Sequence, residues 1–221
     1  MQKIVLLFGI CLLMLQCGQP RKSARWLIVG DDLGVGANGW VTELKTQRGG
    51  GQMLNLSQNE LTAAFNLNRD LNLNASEQIG DYLRRAYAEM GGLDVVVIAL
   101  GLNDCRDEFY GRDEDRRNGF MTLFDRLEAF FDDRGQERPK IIVATPPPLP
   151  KQQPGSGFAT TSECLASLTN QLRPVIISRG YCLADWQALP PNLFPAERPA
   201  IGQLSPAGNR MIASKVLQDC N

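Results

Sequence analysis

Trp26-Leu27-Ile28-Val29-Gly30-Asp31-Asp32-Leu33-Gly34-Val35-Gly36 is a short apolar run that breaks into a glycine-rich turn carrying two adjacent carboxylates. Four apolar residues closed by glycine mark a buried strand that ends abruptly. Residues 37–47 follow with Trp40, Val41 and Leu44 at helical spacing, so the turn joins a strand to a helix. In an open α/β sheet, ligands bind outside the carboxyl ends of the strands. This turn stands where a reactive group would be displayed.

The same alternation continues along the chain. Residues 52–56 form a short strand after three glycines, and 57–74 a polar, asparagine-rich loop with a helical turn or two. Residues 76–90 make a helix capped by Ser76, with Glu77 in its first turn and Gly91-Gly92 ending it. Residues 93–100 are a valine- and isoleucine-rich run without polar alternation, the pattern of a strand covered on both faces. A charged loop over 104–117, a helix over 120–131 and a strand over 141–144 come next. A proline-rich loop over 145–157 precedes a helix over 162–179 that must tolerate Pro174. A last short strand, 181–184, leads through an irregular loop to a helix over 205–217, with Ser205 as its cap and Pro206 in its first turn. Strands alternating with helices predict an α/β protein, a three-layer α/β/α sandwich around a parallel five-stranded sheet.

Gly30-Asp31-Asp32-Leu33 resembles the Gly-Asp-Ser-Leu block that opens SGNH/GDSL-type ester hydrolases, with Asp32 where that family has its nucleophilic serine. Gly101-Leu102-Asn103-Asp104, closing the 93–100 strand, is similar to the family's Gly-x-Asn-Asp block. The resemblance spans about residues 24–220 and implies a flavodoxin-like fold and an ancestry in hydrolysing acyl or acetyl esters. It makes Asn103 the oxyanion donor of the third block; the residue alone could equally be an Asx turn at a strand end. The second block, at 54–60, places Asn59 or Glu60 where the family has a glycine donor, and a carboxylate there would oppose a developing oxyanion. Leu204-Ser205-Pro206-Ala207-Gly208-Asn209 looks like the stretch after the family's Asp-x-x-His. Counting back puts Ala200 at the Asp position and Gln203 at the His position. The chain has no histidine at all, and Gln203 cannot accept a proton near neutral pH.

Serine, aspartate and histidine are thus replaced together by Asp32, Ala200 and Gln203. Carboxylates do serve as nucleophiles in some enzymes, and Glu60 is the residue that could flank Asp32, as an acid–base partner or across a bound cation. The simplest role for Asp32 is an N-cap on the helix after the turn, where a negative charge suits the dipole. By the same resemblance, Asp31 would tie down the turn. The expected cleft residues are Gly30, Asp31, Asn59, Glu60, Gly101 and Asp104 around Asp32, Asn103, Gln203 and Ala200. No cofactor and no metal site are expected. The reading is a non-hydrolytic descendant binding an acylated sugar or lipid, or an envelope partner. An ester hydrolase of altered mechanism using Asp32 and Asn103, and a structural envelope protein, stand as alternatives.

Composition bounds the rest. Apolar residues make up 43% and charged residues 21% of the 221 residues, and the net charge is −1, so nothing favours nucleic acid as a partner. Lys3 followed by an apolar run over 4–15 reads as an export signal too short to span a bilayer. Leu13-Met14-Leu15-Gln16-Cys17-Gly18 resembles a bacterial lipoprotein signal; Gln16 departs from the usual small residue there. The expectation is a signal over 1–17, lipidation of Cys17 as a membrane anchor, a tether over 18–23, one domain over 24–221, and a place in the cell envelope. Cys105, Cys164, Cys182 and Cys220 would then lie in an oxidising compartment, with three possible pairings. They lack the close spacing of structural zinc ligands. Trp26, Trp40 and Trp186 read as packing residues before pocket residues, and the mixed-sign run 106–117 as a solvated loop.

Overall fold

The computed structural model describes residues 24–150, 156–190, 193–194 and 203–220. Cys17 and Ala200 lie outside these residues. Five strands, β1 (Trp26–Gly30), β2 (Met53–Asn55), β3 (Val95–Ala99), β4 (Lys140–Ala144) and β5 (Cys182–Ala184), form one parallel sheet in the order β2-β1-β3-β4-β5. The helices are α1 (Trp40–Gln47), α2 (Ala75–Met90), α3 (Asp113–Asp132), α4 (Thr161–Ser178) and α5 (Pro206–Asp219). β1 and β3 are buried along their whole length, as their unbroken apolar runs require. On one face α1 packs against α5; on the other α2 packs against α3, and α3 against α4. The chain leaves β1 in one direction along the sheet and β3 in the other, so the carboxyl ends of these neighbours mark the switch point where such folds bind ligands.

Three boundaries differ from the sequence expectation. The helix expected from residue 37 begins at Trp40, because Gly36 at φ 109° turns the chain first and Gly39 stands at the N-cap. The second helix is capped by Asn74, whose side chain accepts hydrogen bonds from the Ser76 N–H and hydroxyl. The charged segment 104–117 is not all loop. Two 3₁₀ turns, Asn103–Cys105 and Asp107–Phe109, lead into α3 at Asp113, whose first turn holds Asp113, Glu114 and Asp115. Acidic residues there suit the helix dipole, so a run that reads as solvated charge also starts a helix. α4 runs on through Pro174.

Two disulfides lock the carboxyl-end loops and the C-terminus. Cys105–Cys164 joins the turn after β3 to the first turn of α4, and Cys182–Cys220 joins β5 to the end of α5. Asp107 adds to the first lock by accepting from the Ala159 and Thr160 N–H groups and the Thr160 hydroxyl, which holds its carboxyl below the usual range. Trp40 and Trp186 are fully buried and meet edge to face at 4.9 Å, so both are packing residues. Trp26 is also buried, beneath the Arg48 guanidinium.

Candidate functional site

The site stands on the paired ends of β1 and β3, where Gly30 lies opposite Ala99. Asp31 turns inward. Its Oδ1 accepts the Leu33 N–H at 3.3 Å, and its Oδ2 accepts the Leu102 N–H at 3.1 Å, so it staples the two strand-end turns together. Burial, and then the charge of neighbouring Asp32, push its carboxyl well above the usual range. Asp31, as expected from the sequence, ties down the turn.

Asp32 faces the other way and is half-buried. It opens a single 3₁₀ turn, Asp32–Gly34, whose cap is Asp31, while α1 is capped by Gly39; the helix-cap role expected for Asp32 is corrected. Its Oδ2 instead accepts two hydrogen bonds, from the Glu60 N–H at 2.9 Å and from Asn103 Nδ2 at 2.5 Å. Among the described residues, no lysine or arginine forms a salt bridge with Asp31 or Asp32.

Glu60 explains the second block. It has φ 64°, in the left-handed region that costs most residues energy and glycine little. The conformation, not the side chain, delivers the N–H to the site. The Glu60 carboxylate pairs with Arg106 at 3.3 Å, and Arg106 also pairs with Glu108 at 3.1 Å. The expectation that Glu60 would set a second carboxylate, or a shared cation, against Asp32 is therefore corrected. Asn59 is exposed in the same turn.

Asn103 is buried and held from behind by the same hydrogen-bonding group: Nδ2 also reaches the Leu61 carbonyl at 3.2 Å. Gly101 sits at φ 124°, and a Cβ there would lie 2.8 Å from Pro146 Cγ, so glycine is needed for both conformation and space. Asp104 points into the protein rather than the cleft. Its carboxylate accepts the Ala63 N–H at 3.0 and 2.9 Å and the Ala64 N–H at 2.8 Å. Burial raises it to about 6, against the pull of those N–H groups and the Arg116 charge. Asp104 thus anchors the chain just beyond Glu60 to the turn that carries Asn103.

Residues that sequence reasoning did not single out complete the frame. Asn55 donates to the Gly34 carbonyl at 2.8 Å and accepts from the Ser57 N–H and hydroxyl. Ser57 fills the space that side chains on Gly30 and Gly34 would need, since built Cβ atoms would lie 2.7 and 2.1 Å from its Oγ. The Asn55-Leu56-Ser57 spacing of an Asx turn is the signal that could have revealed this. Arg116 is buried inside the supposed solvated run, donating to the Asp104 and Phe109 carbonyls and to the Asp113 carboxylate.

The fourth block is only partly in view. Gln203 is exposed, and no hydrogen bond joins it to Asp32 or Asn103. Ser205 caps α5 through the Gly208 N–H at 2.9 Å, and its hydroxyl and N–H both donate to the Leu193 carbonyl. Gly208 makes this possible, because a Cβ there would lie 2.1 Å from that carbonyl oxygen.

The arrangement has two donors aimed at one point, and the chain's own carboxylate occupies it. No side chain of the chain is a histidine to activate a nucleophile.

No protein-family model and no curated protein sequence matches the chain. Solved structures do. An aryl esterase of M. smegmatis superposes with a TM-score of 0.71 at 19% identity, covering 88% of this chain and 97% of the esterase. Est24, a carbohydrate acetylesterase from Sinorhizobium meliloti, does so with a TM-score of 0.71 at 20% identity and the same coverages, 88% and 97%. A candidate SGNH hydrolase from Slackia heliotrinireducens matches with a TM-score of 0.58 at 16% identity, over 90% of this chain and 100% of that one. With its 2-1-3-4-5 sheet and its turns after β1 and β3 so placed, the chain has the fold of the SGNH/GDSL-type hydrolases.

Proposed function

We propose that the chain is an exported, lipid-anchored SGNH-hydrolase-like protein that does not hydrolyse esters. In this reading it binds an acylated carbohydrate or lipid of the cell envelope along the former active-site cleft. One observation carries the proposal: the Glu60 N–H and Asn103 Nδ2 both donate to Asp32 Oδ2. An ester carbonyl needs such donors for the charge that develops on its oxygen. Here a carboxylate already takes them, and its own charge would repel that oxyanion. The chain has no histidine to take the proton of a nucleophile. Export and anchoring draw support from the 1–17 sequence with Cys17, and from four body cysteines joined in two disulfides, as suits an oxidising compartment.

A second reading is favoured by one detail. No hydrogen bond among the described residues reaches Asp32 Oδ1, so that oxygen of the half-buried carboxylate is open to a substrate. Asp32 would then be the nucleophile of an altered ester hydrolase. Hydrolysis of p-nitrophenyl acetate and butyrate by the wild type, Asp32→Ala and Asp32→Ser separates the two. Equal background in all three is expected; turnover that disappears in Asp32→Ala would overturn the proposal.

A further inference from the structure

Beside the Asp32 frame lies a cavity of about 230 Å³ with the Cys105–Cys164 disulfide in its wall, lined also by Arg106, Tyr110, Gly111 and Glu163. We infer that this cavity is a binding subsite for one ring of a neutral carbohydrate. The inference rests on the proposed function, and commits its ligand to the sugar class.

Position is the first argument. Cys105 is two residues beyond Asn103, which sets their Cα atoms no more than about 7 Å apart. Arg106 forms a wall common to both places: its guanidinium lines the cavity and pairs with Glu60, whose N–H lies on Asp32. A ligand resting in the cavity therefore continues naturally toward Asp32 and Asn103.

Charge is the second. Among the described residues, two guanidinium groups line the cavity, and both are committed. Arg106 is paired with Glu60 and Glu108, and Arg116 is spent on Asp113 and two carbonyls. Neither is free to select an anion. The groups left open include a Tyr110 ring, in a residue that is 74% exposed, and an exposed Glu163 carboxylate in no salt bridge among the described residues. An uncovered aromatic face beside a hydrogen-bond acceptor suits a ligand with an apolar C–H face and hydroxyl donors. That is a pyranose ring.

Size and rigidity agree. A cavity of about 230 Å³ has room for one sugar ring. The disulfide and the Asp107 contacts to Ala159 and Thr160 fix the wall before any ligand arrives. Binding then orders little.

The test is titration of the disulfide-bonded protein with glucose, N-acetylglucosamine, cellobiose and chitobiose, followed by saturation-transfer NMR and calorimetry. Glucuronate and glucose 6-phosphate serve as anionic comparisons. Saturable binding of at least one neutral sugar is expected. Tyr110→Ala should weaken it tenfold or more, and Tyr110→Phe should leave it within threefold. Near-UV circular dichroism checks that the variants are folded, which the exposure of Tyr110 favours. No binding of any neutral sugar, binding indifferent to Tyr110→Ala, or tighter binding of the anionic sugars would each overturn the inference. Ester turnover by the same protein would overturn the proposed function and leave the subsite standing; absent sugar binding without turnover would remove the subsite alone.

Discussion

Asp104→Asn isolates the effect of one buried charge. Asp104 is wholly buried and binds the Ala63 and Ala64 N–H groups, and its folded value of about 6 stands above the ordinary 3.8. A carboxyl raised in the folded state binds more protons there than in the unfolded chain. Its stabilising contribution is therefore full below about pH 3.8 and lost as pH rises through about 6. At 1.36 kcal/mol per pKa unit the full span is about 3 kcal/mol, of which about 2 kcal/mol separates pH 4.5 from pH 7. Asparagine keeps the shape and does not titrate. It retains Oδ1 for both N–H groups, but turns a donor toward the Ala63 N–H in place of Oδ2. The variant should thus be more destabilised, relative to wild type, at pH 4.5 than at pH 7, by about 2 kcal/mol. For a domain this size that is a difference of about 4–8 °C in melting temperature. Urea unfolding of both proteins at the two pH values, disulfides intact, measures it, and Asp31 cancels because both proteins contain it. The same destabilisation at both pH values would refute the argument, as would a larger one at pH 7.

Three further outcomes follow from the geometry. Glu60→Gly should stabilise the fold by about 1 kcal/mol, since glycine adopts the φ of 64° without strain, and the exposed pair with Arg106 contributes little; a loss in chemical denaturation would count against a purely conformational role for this position. Gly208→Ala should cost about 1–3 kcal/mol by forcing the Leu193 carbonyl away from the cap of α5, whereas an unchanged melting temperature would mean that this contact is not held. Replacing Cys105 and Cys164, or Cys182 and Cys220, by serine should cost about 4 kcal/mol per pair, from loops of 59 and 38 residues; peptide mapping without reduction that finds another pairing would refute the assignment.

The α/β alternation was legible because buried parallel strands are written as unbroken apolar runs, such as Val95–Ala99, and helices as spaced ones. The ends were less so. Acidic residues serve a solvated loop and a helix start equally well, which is why 113–117 reads as loop and folds as the first turns of α3. Within the site, the resemblance of the two strand-end blocks, and not local chemistry, pointed to Asp31 as the tie of its turn and to Asn103 as a donor; the Asp31 bond to the Leu102 N–H across the sheet is written in neither block.

What the sequence by itself determined is the order of strands and helices, and the lack of any histidine, because these are properties of neighbouring residues or of composition. Only the tertiary structure decided where the side chains go. It sends the Glu60 carboxylate to Arg106 and its N–H to Asp32, pairs Cys105 with Cys164 and Cys182 with Cys220, and turns Asp104 inward to Ala63 and Ala64. The reason is physical. Each of these outcomes depends on which strand lies beside β1, and a parallel sheet brings together residues tens of positions apart, whose partners no local pattern records.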